Sequence, residues 1–106
     1  MPGIDFDRLR AEVPMRQVLQ LLGFEPKRCR GDQWYGHCPM RDCPPRRRRR
    51  FCFSVNVARG RYCCHRCKRH GHQIELWAEA TGLLLYPAAI HLCTTLGREV
   101  PWIRRW

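Results

Sequence analysis

Two pairs of closely spaced cysteines are the residues of this chain whose types and spacing point most directly to chemistry. Cys64 and Cys67 form a Cys-x2-Cys pair, and Cys38 and Cys43 form a second pair with a proline in its turn. Such thiolates bind zinc, which takes four ligands in a tetrahedral arrangement. Twenty residues separate the pairs, room for one β-hairpin. We therefore predict one structural zinc ion held by Cys38, Cys43, Cys64 and Cys67, a closed site without an open position for water.

Other residues offer alternative ligands or a different chemistry. The remaining candidates are His37, His65, His70 and His72 among the histidines and Cys29, Cys52, Cys63 and Cys93 among the cysteines. His37 is the best placed of the histidines, although histidines on a basic surface are more often solvated. Cys63 alternates with Cys64 along a strand and should point away from the ion. A redox dithiol is the rival interpretation of Cys-x2-Cys, but no βαβ pattern surrounds it.

The sheet that must position these cysteines is predicted from hydrophobic alternation. Residues 51–57 alternate apolar and polar side chains, a short turn follows, and residues 61–63 return as the partner strand. A turn at Gly31–Asp32 leads into a further short strand through Trp34 and Tyr35. These segments predict a small antiparallel zinc-ribbon sheet.

Helices are predicted on both sides of the ribbon. Apolar residues recur at helical spacing before residue 23 and after residue 73, and glycines at 23, 82 and 97 suit left-handed helix ends. Asp5 can cap the first turn, Pro14 suits the start of the second helix, and Pro87 suits the start of the last one. The predicted fold class is α+β, with one domain over residues 1–106: N-terminal helices in 4–24, the ribbon in 33–72 and C-terminal helices in 73–97.

The charge of the chain is concentrated in its cysteine-rich middle. The net charge is +11, and residues 27–70 hold 14 of the 20 Lys and Arg but only two acids, Asp32 and Asp42. That segment therefore carries +12 and the rest of the chain −1. A compact basic module of this kind is typical of proteins that bind polyanions. The alternative is a basic face that serves only solubility.

Cysteine use and hydropathy indicate the compartment. Eight cysteines in 106 residues could form disulfides, but the N-terminus has acids where a secretory signal has basic residues. No apolar stretch reaches the roughly 18 residues of a membrane-spanning helix. We expect a cytoplasmic, reducing location, where clustered cysteines bind metal. We expect neither a membrane nor a small-molecule substrate as partner.

The segments YGHCPMRDC and FSVNVARGRYCCHRCKRHGHQIELWA resemble the N-terminal Cys-His-Cys-Cys zinc-binding domain of bacterial DNA primases. The matching elements are Tyr35, Gly36, Cys38, Pro39, Phe53-Ser54-Val55, Tyr62, Cys64, Cys67, Gly71 and Ile74-Glu75-Leu76. The opening IDFDRLRAEVPMRQVLQLLGF also resembles the paired helices before that finger. The resemblance spans about residues 4 to 82, and YPAAIHLCTTLG resembles the helix that follows the finger in related proteins.

Two departures from the family pattern bear on the site. The family places its second ligand, a histidine, where this chain has Arg41, which stays protonated and cannot bind zinc. We expect Cys43 to replace it; a degenerate site is the alternative. The second departure is the run Arg46 to Arg50, either a phosphate clamp or a loop that gives only non-specific attraction.

The resemblance implies a module that contacts single-stranded DNA template during primer synthesis. The implied contacts flank the hairpin and the second cysteine pair: Arg59, Arg61, Tyr62, Arg66, Lys68 and Arg69. Tyr62 or Trp34 could stack a base, although a core position is the commoner one for an aromatic in a small domain. No polymerase domain is visible, so we expect no catalysis by this chain alone, and a polymerase or helicase as a possible partner in replication or in a mobile element.

Two other classes compete with a nucleic-acid-binding module. One is a structural or protein-interaction zinc domain whose basic face serves solubility. The other is a zinc enzyme, and a zinc deaminase would need His-x-Glu and Pro-Cys-x2-Cys. No histidine here has glutamate at the second following position, and Cys64 follows Cys63 and not proline. The sequence thus excludes the deaminase.

Overall fold

The computed structural model describes residues 3–40, 43 and 52–103. In that part of the chain, helices flank a five-stranded antiparallel sheet, which confirms the predicted α+β class. The elements in chain order are α1 (Phe6–Glu12), α2 (Met15–Leu21), β1 (Arg28–Arg30), β2 (Gln33–Gly36), β3 (Phe53–Asn56), β4 (Arg61–Cys64), β5 (His70–His72), α3 (Gln73–Thr81) and α4 (Leu85–Leu96). Arg41 and the arginine run at 46–50 lie outside the described residues.

The sheet is a simple meander in which each strand pairs with the next one in sequence. The predicted hairpin is present as β3 and β4, with Val55 opposite Tyr62 and Phe53 opposite Cys64. The strand through Trp34 is also present, and the turn before it joins β2 to β1. Strands β1 and β5 were not predicted, because three-residue strands at sheet edges carry too little alternation to be recognised.

The helices begin close to their predicted positions. The Asp5 carboxylate accepts a hydrogen bond from the Arg8 backbone N–H at 3.1 Å and so caps α1 as expected. Pro14 precedes α2 and does not begin it. Helix α4 begins at Leu85, two residues before Pro87. A proline is tolerated there because backbone N–H groups in the first helical turn have no intrahelical acceptor.

The core lies between one face of the sheet and the helices. The Phe53 ring is fully buried, 5.7 Å from the Tyr62 ring and 5.1 Å from the Phe24 ring between centroids. Helices α1 to α4 contribute the other large buried side chains: Leu9, Met15, Val18, Leu19, Ile74, Leu76 and Leu92. Within the described residues, the helices thus cover the face that carries Phe53 and Tyr62, and we call the opposite face the uncovered face.

The two ends of the described chain meet. The Asp5 N–H donates to the Pro101 carbonyl at 2.7 Å, and the Ile103 N–H donates to the Gly3 carbonyl at 2.8 Å.

No single helix of the described residues is long and apolar enough to cross a membrane. Helices α3 and α4 reach that length and hydropathy only as a pair, and the pair is bent by 96°.

Candidate metal centre and open sheet face

The second cysteine pair is shaped by the turn that follows β4. The backbone N–H of Cys67 points at the Cys64 sulfur at 3.4 Å, and the Lys68 N–H donates to the Cys64 carbonyl at 3.0 Å. Lys68 adopts a left-handed conformation with φ of 66°, which lets the turn close. Backbone donors directed at a sulfur stabilise its thiolate form. This turn therefore prepares Cys64 as a ligand.

The first pair approaches from the end of β2. Cys38 lies two residues after that strand, and the Cys43 N–H donates to the Met40 carbonyl at 3.2 Å, closing the turn between the two thiols. The Met40 side chain is buried in the core. The pairing of β2 with β3 and of β3 with β4 brings the two turns to the same end of the sheet.

The four predicted ligands come together in one cluster. The sulfur atoms of Cys38, Cys43, Cys64 and Cys67 all lie within 4.8 Å of one another. The separation is 3.9 Å between Cys38 and Cys67, and 3.7 Å between Cys43 and Cys64. A tetrahedral zinc ion with bonds of about 2.3 Å places its sulfur ligands about 3.8 Å apart, whereas a disulfide needs about 2.05 Å. The four thiols therefore fit a single zinc ion.

The pKa values of these thiols bear on metal binding, because only ionised thiols bind zinc. Burial raises the pKa of Cys38 above its ordinary range and raises the pKa of Cys43 to about 12. Burial also acts to raise the pKa of Cys64, but the backbone N–H groups of Cys67 and Arg66 outweigh it and lower that pKa. Four thiolates this close repel one another, so a cation is needed to hold all four ionised. Zinc supplies that charge when bound, and the closed ligand set makes its role structural.

Cys43, the expected replacement for the histidine of the primase pattern, belongs to the cluster. No histidine of the described residues belongs to the cluster. Cys63 points away from it, as predicted, because it pairs with Ser54 while Cys64 pairs with Phe53. Cys93 is a buried core residue of α4, and Cys29 lies exposed on β1.

The uncovered face of the sheet carries polar and basic side chains in two rows across the strands. The register places Arg30, Gln33, Asn56, Arg61 and His72 in one row and Arg28, Tyr35, Ser54, Cys63 and His70 in the other. Neither row contains an acidic residue. The face therefore combines positive charge with a half-buried tyrosine and hydrogen-bonding amides.

A groove of about 620 Å³ lies on the β3–β5 half of this face. It is lined by Gln33, Ser54, Asn56, Arg59, Arg61, Tyr62, Cys63, His70, Gly71, His72 and Glu75. The Asn56 side-chain oxygen accepts from the Arg59 backbone N–H at 2.8 Å, which fixes the amide at the rim. Within the described part of the chain, the guanidinium groups of Arg59 and Arg61 form no ion pair.

The residues that the resemblance implied for nucleic-acid contact occupy three settings. Arg59 and Arg61 line the groove, whereas Arg66, Lys68 and Arg69 lie at the second cysteine turn and the start of β5. Arg69 forms an ion pair with Glu79 at 2.8 Å. The Tyr62 ring is 4% exposed and belongs to the core, the alternative that the sequence left open for it. Trp34 lies on the covered face, and the Arg16 guanidinium carbon lies 5.4 Å from the centroid of its ring.

Several groove residues were missed by reasoning from sequence. Ser54 and Asn56 were placed on the polar side of the alternating strand, but their neighbours across the sheet were not identified. Gln33, His70, His72 and Glu75 reach the same groove only because β2, β4 and β5 pair in register and α3 follows β5 directly.

The fold and the site define a small α+β domain with one four-cysteine zinc centre. No protein-family model matches the chain, and no curated protein matches it. Among solved structures, it is similar to the crystal structure of Aquifex aeolicus primase, which contains zinc-binding and RNA polymerase domains. The TM-score is 0.72 at 21% sequence identity, and the similarity covers 94% of this chain and 23% of that one. The resemblance to the primase zinc-binding domain is thus confirmed for the fold, and this chain spans about a quarter of the primase chain.

Proposed function

We propose that this chain is a zinc-stabilised module that binds single-stranded DNA on the uncovered face of its sheet. The observation that carries the proposal is the pair of acid-free rows, whose arginines and histidines border a groove where Arg59 and Arg61 form no ion pair with any described residue. Single-strand-binding proteins combine a basic groove along the backbone with side chains that contact unpaired bases. Tyr35, half-buried in the second row, is the aromatic available for stacking.

The arginines of the groove supply the phosphate contacts in this proposal. Arg59 lies at the β3–β4 turn and Arg61 begins β4, so their charges follow one edge of the groove. Lys68, exposed at the second cysteine turn, adds positive charge near the zinc centre, whereas Nη1 of Arg66 is buried and has no hydrogen bond to any described residue. In this proposal the zinc ion fixes the two cysteine turns and does not contact the DNA.

The wider role follows from the structural neighbour. Because that primase carries zinc-binding and RNA polymerase domains in one chain, we propose that this module supports primer synthesis or a related replication step with a polymerase or helicase. In this role the chain has no nucleotidyl-transfer activity of its own and works in the cytoplasm, either in the host's replication or in that of a mobile element.

The proposal is tested by fluorescence anisotropy with a labelled single strand over a range of salt concentrations. Each phosphate contact contributes about 0.7 to the slope of log affinity against log salt. The Arg59→Ala/Arg61→Ala variant should lower that slope by roughly 1.4 and weaken binding at each salt concentration. The matched control, Arg8→Ala/Arg10→Ala, removes the same charge from α1 and should change the slope far less. Equal effects of the two double variants would reject the groove as the binding site.

A second candidate is a protein-interaction domain, favoured by apolar side chains that remain at the surface. Leu84 is 81% exposed, and Ile103 is 51% exposed. Contiguous patches of such groups mark protein-binding sites. Absence of salt-sensitive binding to any single strand, in a protein that holds its zinc, would favour this candidate.

A further inference from the structure

One acidic residue interrupts the positive groove. Glu75, at the third position of α3, is the single acid among the described residues that line it. A carboxylate beside a phosphate-binding surface weakens binding by repulsion. A contact that requires a hydrogen-bond acceptor would explain why Glu75 lies in the groove.

The Glu75 carboxylate is held at a defined position above the sheet. A β-carbon built on Gly71 would lie 2.2 Å from a carboxylate oxygen of Glu75, so this oxygen occupies the space that any side chain on Gly71 would need. Gly71 has a φ of 151°, a conformation that other residues rarely adopt. The backbone of β5 thus leaves a recess into which Glu75 folds. Among the described residues, the Glu75 carboxylate accepts no hydrogen bond and pairs with no arginine.

A carboxylate at the third helical position often accepts from the backbone N–H at the helix start, and that role would explain Glu75 without a ligand. Neither the His72 side chain caps α3 nor does the His72 backbone N–H donate to the Glu75 carboxylate, although both residues are described. Glu75 is half-buried, and the groove that it lines also contains the donor side chains of Arg59, Arg61 and His72. An acceptor in this position is complementary to a ligand that presents hydrogen-bond donors.

We propose that Glu75 recognises the Watson–Crick edge of an unpaired guanine; this inference rests on the proposed single-strand binding. Guanine alone among the DNA bases presents two adjacent donor groups there, N1–H and the N2 amino group, which match the two oxygens of a carboxylate. Adenine, cytosine and thymine each present one donor group on that edge. Specific readers of single strands use such contacts to unpaired bases.

The rest of the groove is consistent with one guanine nucleotide. Its volume of about 620 Å³ lies within the range of sites that enclose one small ligand. Arg61 neighbours His72 across the β4–β5 pair and supplies donors for the guanine O6 acceptor. Arg59 at the rim remains available for the adjoining phosphate. In this arrangement Arg59 contacts the phosphate, whereas Glu75 and Arg61 contact the base.

The experiment compares binding of the zinc-loaded protein to oligothymidylates on the order of a dozen nucleotides long, a typical site size. Each contains one central guanine, adenine, cytosine or hypoxanthine. We expect the guanine strand to bind about tenfold more tightly than the adenine strand, the discrimination of one good bidentate base contact. Hypoxanthine, which lacks the N2 amino group, should fall between them. The Glu75→Gln variant should lose the preference while keeping or increasing its affinity for plain oligothymidylate, because a negative charge is removed.

The Glu99→Gln variant is the matched control, since Glu99 is exposed and does not line the groove. It should retain the guanine preference of the wild type, and all proteins should hold one zinc ion. Binding to every strand with equal affinity, or a preference that survives Glu75→Gln, would overturn the guanine proposal and leave single-strand binding intact. Failure to bind any strand would reject the proposed function and the guanine proposal with it.

Discussion

The side-chain amide of Gln73 donates to the backbone carbonyl of Val13 at 2.8 Å, although sixty residues separate them. The same nitrogen also donates to the Arg10 carbonyl at 2.8 Å. Gln73 is 4% exposed and begins α3, whereas the two carbonyls end α1. This residue thus joins the N-terminal helices to the element that follows the sheet, and it satisfies carbonyls that the end of α1 leaves without partners.

Replacement of Gln73 should therefore destabilise the fold. In Gln73→Ala, the buried Val13 carbonyl and the partly buried Arg10 carbonyl lose their donor, and an unsatisfied buried acceptor costs about 1–3 kcal/mol. We expect the free energy of unfolding of the zinc-loaded protein to fall by at least that amount in urea titrations. Gln17→Ala, an exposed glutamine of α2, is the control and should change it little. Similar losses in both variants would contradict the role of Gln73.

A second stability prediction concerns the glycine of the β3–β4 turn. Gly60 has a φ of 67°, and a β-carbon there would lie 2.8 Å from the side-chain oxygen of Gln73. Gly31 has a φ of 61° in the β1–β2 turn but open space around it. Gly31→Ala should cost about 1–2 kcal/mol from backbone strain alone, and Gly60→Ala should cost more because Gln73 must also move. Thermal unfolding of both variants measures the difference, and equal costs would show that the contact is unimportant.

The proposed ligand set predicts different zinc contents for Cys43→Ser and Cys63→Ser. Wild-type protein should contain close to one zinc ion per chain after dialysis against a weak chelator, and Cys43→Ser should lose most of it. Cys63→Ser should keep its zinc, because Cys63 lies on the opposite face of β4 from the ligand Cys64. Elemental analysis of the three proteins provides the test. Full zinc in Cys43→Ser would reject Cys43 as the replacement for the family histidine.

Zinc retention should depend on pH in a defined direction. Burial raises the pKa of Cys43 to about 12 and raises that of Cys38 as well, so both thiols hold their protons at neutral pH without metal. Zinc must displace those protons, and affinity should therefore rise with pH and fall as the solution is acidified. Competition with a chromogenic chelator between pH 6 and pH 8 measures this. An affinity independent of pH would mean that the thiols are already ionised in the metal-free protein.

Two arginines near the groove should contribute unequally to binding of single strands. Arg69 is paired with Glu79, and its side chain is 24% exposed, so its charge is partly neutralised. Arg61 lines the groove and is exposed. We expect Arg61→Ala to reduce affinity several-fold and Arg69→Ala to reduce it less, in anisotropy titrations at one fixed salt concentration. The reverse order would place the binding surface at the second cysteine turn.

Local chemistry allowed much of this protein to be predicted from sequence. The cysteine spacing predicted the four thiols that cluster in the structure, including Cys43, because a zinc turn requires thiols a few residues apart in the chain. The β3–β4 hairpin followed from strict alternation, and the ends of α3 and α4 followed from Gly82 and Gly97. Each of these features depends on residues that are close in sequence, where short-range geometry decides the outcome.

Only the tertiary structure decided which residues share the groove. Glu75 and Asn56 lie far apart in the chain, and their common location depends on the register of three strands and on where α3 leaves the sheet. The same applies to Tyr62, whose strand position allowed either a core or a surface role until the helices covered that face. Sequence alone was enough to recognise each cysteine pair because its two thiols are local, whereas the meeting of the two pairs and the makeup of the groove depend on long-range strand pairing that no local pattern encodes.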